Sequence, residues 1–477
     1  MMGIVAAAST AHRYDLVVIG GGSAGLTAAD FGARIGAKVL IAAERLGGDC
    51  TWTGCIPSKA LIRIARLAHD QSRAVDSGFA AGSLTIDFPR AMAEVHAVVN
   101  RVYSYETPEA LATRGIDVAI GPVRFLDGQT IEAGDRRVRG ERFVLCTGAE
   151  PVTPPIPGLD GVEYLTYESV FDLTRLPASL IIIGAGGTGV EIAQTLARLG
   201  SSVSLIDQRP SVLPDADPEA SDLLRRRLAS EGVSLYLSES VTSVATEGPL
   251  VQVQTGAARV QADSLLVAAG RRPRIGGLGL ELAGVEVRSG AVPVTKNLQT
   301  TNPLVYAAGD VTGGPQFTHY AGWQGYIGAR NALLPGSEDG LRSTVPWAVF
   351  TDPEVAQAGI NEAEARAQFK DVKVHRVELE RVDRAQTEDE RDGFLKLITR
   401  DGGKVVGATV VSRVAGETIN ELALAIDRGL TVSDLASTIH AYPTFGFAVQ
   451  ELAAEIAFEG ATSGLRGRAI QAIRRKS

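Results

Sequence analysis

Cysteine is scarce, with three residues in a chain of 477. That number excludes a disulfide-stapled scaffold. No apolar run is long enough to span a bilayer, so an integral membrane protein is not expected. The opening stretch MMGIVAAASTAHRYD has no basic n-region and only a short apolar segment. It reads as a leader without a signal peptide, and a reducing, cytoplasmic location is expected. There is no excess of positive charge: the net charge is −8, which argues against a nucleic-acid partner. The basic tail (Arg466, Arg468, Arg474, Arg475, Lys476) reads as a solvated helix end.

Glycine is plentiful, and its placement is informative. The apolar run Leu16 to Ile19 leads into GGGSAG, with Gly20, Gly22 and Gly25 at fingerprint spacing. The run Leu180 to Ile183 leads into GAGGTG, with Gly184, Gly186 and Gly189. An alanine-rich helical pattern and a further apolar strand follow each. This is a βαβ unit twice over. The first glycine permits the tight turn, the second lets a pyrophosphate approach, and the third lets helix and strand pack closely. One copy is weak evidence; two in the right context argue for two dinucleotides.

The length exceeds one hydrophobic core and suggests three domains. Helices are expected from Pro57 to about Arg73 and from about Phe88 to Ala112. The segment PVTPPIPG, Pro151 to Gly158, reads as a linker. From Pro346 onward strand-like runs such as FLKLITR alternate with helices, the pattern of an α+β domain. The expected fold class is α/β, with two Rossmann-like domains and a C-terminal α+β domain.

Two of the three cysteines stand close together, Cys50 and Cys55 in GGDCTWTGCIPSK. Four intervening residues can close a small disulfide ring. Pro57 suits a first helical turn, so the helix dipole would favour a thiolate at Cys55. Zinc would need four ligands, and only His69 is near, so no metal site is expected. Two inert buried cysteines are the other alternative. Cys146, in the strand-like FVLC, reads as core.

With these motifs in view, the sequence resembles the flavoprotein disulfide reductases: dihydrolipoamide dehydrogenase, glutathione reductase and mercuric reductase. The resemblance rests on GGGSAG, GGDCTWTGCIPSK, CTGAEP, GAGGTG, AAGRRP, VYAAGD and FTDPEVA. The TWTGC wording resembles the mercuric-reductase-like branch most. The resemblance implies an FAD-binding domain over 1–155 and 275–345, an NAD(P)-binding domain over 156–274 and a dimerisation domain over 346–477. It implies that FAD binds at Gly20, Gly22, Gly25, Thr147, Gly148 and Asp310. NADH or NADPH would bind at Gly184, Gly186, Gly189, Asp207 and Gly270. Cys55 resembles the flavin-proximal thiol and Cys50 the interchange thiol that meets the acceptor. Lys59 resembles the lysine beside the flavin, and Glu191 its ion-pair partner near the nicotinamide. A homodimer whose active sites draw on both chains is also implied.

Three departures bear on function. The slot for an acid on the adenosine ribose of FAD holds Ala42; either Glu44, two residues on, reaches round or the contact is lost. Asp207 fills the matching slot of the second unit and favours NADH, while Arg209 leaves NADPH open. In HAYPTFGFAVQEL the family's histidine and glutamate are replaced by Tyr442 and Phe447. His440 lies two residues upstream and Glu451 too far along. A phenol with a reference pKa near ~10 is a poor base at neutral pH. Lipoamide and glutathione disulfide are therefore disfavoured as acceptors. The last residues, IRRKS, carry no cysteine pair of the kind mercuric reductase uses to hand over its metal. Nor does the sequence show an N-terminal metal-binding domain, and a soluble transhydrogenase of the usual pattern has lost one of the two cysteines. The expected activity is NAD(P)H-driven reduction of a metal ion or small thiophilic acceptor through Cys50 and Cys55. The alternative is a diaphorase that passes electrons from FAD directly to a quinone.

Overall fold

The computed structural model describes residues 12–82 and 85–462. The leader and the basic tail lie outside these residues. The described chain forms two compact units. One takes the residues up to Gly184, with Ser243–Val253 and Gln261–Arg342; the other takes Ala185–Thr242, Gln254–Val260 and the residues from Ser343 on.

The first unit is built on a parallel sheet. Strand β1 (His12–Gly21) leads through a glycine-rich turn into helix α1 (Ser23–Arg34) and back into β2 (Val39–Leu46). Helices α2 (Gly48–Trp52), α3 (Cys55–Asp76), α4 (Phe88–Tyr103) and α5 (Pro108–Ala112) follow. Strands β3 (Ile116–Ile120), β4 (Val123–Asp127), β5 (Thr130–Ala133) and β6 (Arg136–Leu145) complete the order β3-β2-β1-β6-β5-β4. The β1, β2, β3 and β6 pairings are parallel, and the β4–β5–β6 edge is antiparallel. Side chains of β1 and β2 alternate between two buried layers. Tyr14, Val17, Ile19, Leu40 and Ala42 join one core, while Leu16, Val18, Val39, Ile41 and Ala43 join the other. Burial on both faces is why these strands read as unbroken apolar runs.

The helix expected from Pro57 starts at Cys55 and runs to Asp76. The helix expected over Phe88 to Ala112 is two helices. Thr107 caps α5 by accepting from the Ala110 amide, and Pro108 occupies its first position. A new N-terminus thus interrupts the run.

After β7 (Ala149–Pro151) the proline-rich segment lies within the first unit and forms neither helix nor strand up to Gly158. Next come β8 (Ser179–Ile183), α6 (Gly187–Leu199), β9 (Ser202–Asp207), α7 (Pro218–Ser230) and β10 (Ser234–Leu237). Strands β11 (Val241–Glu247), β12 (Leu250–Thr255), β13 (Arg259–Ala262), β14 (Ser264–Val267), β15 (Arg271–Pro273) and β16 (Val305–Ala307) follow, then α8 (Thr318–Leu333). The pairs β8–β14 and β9–β10 are parallel, and β16 adds to β6 in parallel.

The second unit carries a five-stranded antiparallel sheet. Its order is β17 (Trp347–Val349), β18 (Glu354–Gly359), β21 (Lys404–Ser412), β20 (Phe394–Arg400) and β19 (Lys373–Glu378). Helices α9 (Glu362–Gln368) and α10 (Asp383–Glu388) lie between its strands in sequence, and α11 (Ala415–Arg428), α12 (Val432–Ser437) and α13 (Phe447–Thr462) follow. Ala356, Leu395, Leu397, Val410, Ile419, Leu422, Val449 and Leu452 are among the residues that close its core. No helix among the described residues is long and apolar enough to cross a membrane.

Candidate active site

The first glycine-rich turn is forced to be glycine. Gly20 has φ +113°, and a Cβ there would stand 2.2 Å from the Cys146 carbonyl oxygen. A Cβ on Gly25 would meet the Gly20 carbonyl oxygen at 1.9 Å. Helix α1 follows Gly22 with no side-chain cap and no acid in its first turn, so no side chain of the helix start satisfies its first amides. Gly184 repeats the pattern, with φ +113° and the Ala268 carbonyl oxygen at 2.3 Å from a Cβ. Helix α6 likewise starts uncapped, at Gly186, and Gly189 is buried in its first turn.

Several remote segments meet near the first turn. Thr147 Oγ1 donates to the Arg274 carbonyl oxygen at 2.7 Å, and Gly148 adopts φ +70°. Strand β7 pairs antiparallel with β15, just beyond Gly270, which has φ +123°. The Arg271 guanidinium bridges Asp310 at 3.0 Å and Asp49 at 2.6 Å. It also lies over the Tyr167 ring, 5.1 Å from its centroid. Burial pushes the Asp310 carboxyl up, and Arg271 pulls it back. The Arg271 Nε is buried with no partner, a donor left for a ligand. An open helix N-terminus, a glycine cradle and an orphaned donor beside a buried carboxyl fit a dinucleotide diphosphate.

Cys50 sits in one-turn helix α2, and Cys55 is the first residue of α3. The two thiols are not joined in a disulfide and are hydrogen-bonded to each other. Cys55 Sγ also lies 3.3 Å from Thr318 Oγ1, at the start of α8. The Cys50 thiol is raised well above its ordinary value, first by the hydrogen bond to Cys55, then by burial and the Cys55 charge. A thiolate is therefore disfavoured at Cys50, and Cys55 stands at the positive end of a 22-residue helix. Lys59 lies one turn further along α3, on the Cys55 face. Trp52 pins α2: its Nε1 donates to the Leu46 carbonyl at 2.7 Å, and its ring packs on Tyr103 and under Arg45. Cys146 is buried in the sheet core, where burial alone raises its thiol.

Ala42 lies mid-sheet, in register with Ile19 and Ala119. Glu44 is exposed near the end of β2. Asp207 is buried at the end of β9. Its carboxylate accepts from the Ala185 amide at 2.7 Å and the Arg209 amide at 2.8 Å. It thus holds the second glycine-rich turn in shape. Lys59 belongs to the first unit and Glu191 to the second. Glu191 is buried on α6 and accepts from the Phe350 amide at 2.8 Å. Further along the same helix face, Gln194 brackets the Asp352 backbone and Arg198 pairs with Asp352 at 2.8 Å. This gives FTDPEVA a structural task that sequence reasoning missed. A face reading Glu, Gln, Arg at i, i+3, i+7 on an otherwise buried helix was the available signal.

Tyr442 is 63% exposed, donates to Asp383 at 2.6 Å and meets Phe447 edge-on. The Asp383 hydrogen bond and charge raise its phenol further, so it is held as a donor and not a base. His440 is not free to replace the missing histidine. Its Nε2 faces both Glu421 oxygens at 2.9 Å, and its Nδ1 faces the Thr438 carbonyl at 2.9 Å. Among the described residues no group of three His, Cys, Asp or Glu side chains is placed to hold a metal ion.

The comparison with known families agrees with this geometry. Residues 14–325 match the pyridine nucleotide-disulphide oxidoreductase family, and residues 345–453 match that family's dimerisation domain. The chain belongs to this family: an FAD-dependent, NAD(P)H-using oxidoreductase with FAD- and NAD-binding domains and a C-terminal dimerisation domain. It is 34% identical to mercuric reductase of Bacillus cereus, over 91% of this chain and 70% of that protein. It is 36% identical to dihydrolipoyl dehydrogenase of Thermus scotoductus, over 92% of this chain and 96% of that protein. Among solved structures it resembles the HOCl-induced flavoprotein disulfide reductase RclA of Escherichia coli. The TM-score is 0.84 at 31% identity, covering 92% of this chain and 99% of that one. A Cu(II) complex of the same protein has a TM-score of 0.85.

Proposed function

We propose that the chain reduces a soft metal ion, mercuric or cupric, or another small thiophilic acceptor, with NAD(P)H as donor and Cys50 and Cys55 as the relay. The observation that carries this reading is the hydrogen-bonded pair of thiols, Cys50 in α2 and Cys55 at the head of α3, with Cys55 and burial raising the Cys50 thiol. Bound FAD supplies the two-electron link between nicotinamide and sulfur. Gly20, Gly22, Gly25, Thr147, Gly148 and Asp310 would hold it, and Lys59 would lie beside it. Cys55 keeps the stabilised negative charge, while Cys50 stays protonated and meets the acceptor. The mercuric reductases among the relatives and the Cu(II) complex of RclA support a metal ion as substrate. The Tyr442 phenol, tied to Asp383, supports an acceptor that needs no strong base, unlike a disulfide.

The test is steady-state NADH and NADPH oxidation against Hg(II), Cu(II), lipoamide, oxidised glutathione and quinones. Turnover with Hg(II) or Cu(II) that disappears in Cys50→Ala agrees with the proposal. Quinone turnover undiminished in Cys50→Ala, with no metal turnover, establishes the diaphorase instead.

The same reading assigns residues 1–155 and 275–345 to FAD, 156–274 to the nicotinamide nucleotide and 346–477 to dimerisation. Asp207 repels a 2′-phosphate, and Arg209 offsets part of that. NADH should therefore be preferred in kcat/KM by about tenfold, or about 1.4 kcal/mol. Asp207→Gly should narrow the ratio towards unity; a wild-type preference for NADPH overturns the assignment. A homodimer is expected from the dimerisation domain. Sedimentation of the holoenzyme should give twice the chain mass, and a monomer at micromolar concentration refutes it.

A further inference from the structure

Cys50, in its acceptor-facing role, has Tyr442 and Phe447 where the family's histidine and glutamate would stand. A carboxyl lies close by within the first unit. Glu106 follows α4, in the turn before α5, more than fifty residues from the cysteines in sequence. The Thr51 hydroxyl, adjacent to Cys50 and 2% exposed, donates to Glu106 Oε2 at 2.9 Å. Gly47 lies against the same oxygen: a Cβ on Gly47 would stand 2.9 Å from Glu106 Oε2 and 2.9 Å from Trp52 Nε1. Glu106 therefore lies against Gly47, just before α2, and Thr51, which adjoins Cys50 in α2. Asp49, the other acid beside Cys50, is taken up by Arg271 and the Tyr167 hydroxyl.

We propose that Glu106 is a positioning residue for the interchange thiol. Its carboxylate anchors α2 through Thr51, and its negative charge disfavours a Cys50 thiolate, leaving charge in the pair to Cys55. The inference rests on the assignment of Cys50 and Cys55 as the relay. The electrostatics agree in sign: the hydrogen bond to Cys55, burial and the Cys55 charge raise the Cys50 thiol most, the Thr318 hydroxyl lowers it, and the Glu106 charge adds a smaller upward push. Burial raises Glu106 itself, and the Thr51 hydrogen bond and the Arg114 charge lower it. Arg114 is also shared with Asp30 at 3.3 Å, so it does not neutralise Glu106 alone. The Arg45 cation is engaged over the Trp52 ring. The sign follows: above the raised Glu106 value its charge is present and Cys50 ionises less readily. As the pH falls through that value the influence is lost.

The experiment measures iodoacetamide alkylation of Cys50 and Cys55 separately, by peptide mass spectrometry, in holoenzyme before and after anaerobic reduction with NADH. Glu106→Gln keeps an acceptor for Thr51 and removes the charge; Thr51→Val removes the hydrogen bond and keeps the charge. At pH 8 the Cys50 rate should rise about threefold in Glu106→Gln and stay within about twofold of wild type in Thr51→Val. Equal Cys50 rates in wild type and Glu106→Gln overturn the proposal, as does an equal rise in both variants. Glu106→Ala replaces Glu106→Gln if the latter does not fold. If NADH exposes neither thiol to alkylation in wild type, it is the relay itself, and not Glu106, that fails.

Discussion

Serine in place of Cys55 should abolish NADH-driven reduction of Hg(II) or Cu(II), by about a thousandfold or more, while FAD remains bound. The oxygen is smaller, forms no disulfide and stays protonated where a helix-end thiol would ionise. The loss should be as deep in Cys50→Ala, because the two sulfurs act as one unit and their effects do not add. A second, independent consequence concerns the remaining thiol. Two of the causes that raise Cys50 come from Cys55: the hydrogen bond and the negative charge. Both weaken or vanish in Cys55→Ser. Cys50 should then ionise at lower pH, and its alkylation rate at pH 8 should increase by about tenfold or more. Anaerobic titration with NADH supplies the spectroscopic readout. The long-wavelength absorbance expected of a thiolate lying against the flavin should develop in wild type and be absent in Cys55→Ser. Identical spectra and identical metal turnover in the two proteins would remove the basis of the proposed relay.

The residues in that prediction were legible because their chemistry is local. Gly20 and Gly184 can only be glycine, with a positive φ and a carbonyl oxygen where a side chain would begin. The cysteines stand within one loop and helix start, and proline at the head of α3 announces that start. The layered parallel sheet was visible in the unbroken apolar strands. What stayed hidden involves partners distant in sequence. Arg271 joins Asp49 to Asp310, Thr51 meets Glu106, and Glu191 and Arg198 grip the Phe350 to Asp352 loop. No periodicity encodes such pairings; they exist only once the chain has folded. His440 was noticed for its position, yet its engagement with Glu421 needed the geometry of α11. The break between α4 and α5 is a different kind of miss. Thr107 followed by Pro108 is a helix-start signal that the sequence displayed openly.

Asparagine in place of Asp217 should destabilise the second unit by about 3 kcal/mol. Lys396 is 2% exposed in the middle of β20, and so is Asp217 at the head of α7. The ammonium lies 2.8 Å from Asp217 Oδ2 and also reaches Glu219. Asparagine keeps the N-cap, where Asp217 Oδ1 accepts from the Glu219 amide at 2.9 Å, so helix α7 itself should not be at risk. What changes is charge: Lys396 is left buried with only Glu219, whose side chain is 51% exposed and also pairs with Arg376. An exposed partner compensates a buried cation poorly, because solvent screens it. Glu219→Gln alone should therefore cost under about 1 kcal/mol. The decisive variant is the double substitution Asp217→Asn with Lys396→Met, which removes both charges and retains the cap and most of the aliphatic volume. It should recover most of the loss, because a matched apolar replacement of a buried pair is often close to neutral. Melting of the holoenzyme reads this out: about 10 °C lower for Asp217→Asn, with the double variant returning most of the way. Equal melting of wild type and Asp217→Asn would show that Glu219 and water suffice for Lys396, and that the pair positions β20 against α7 without stabilising the unit.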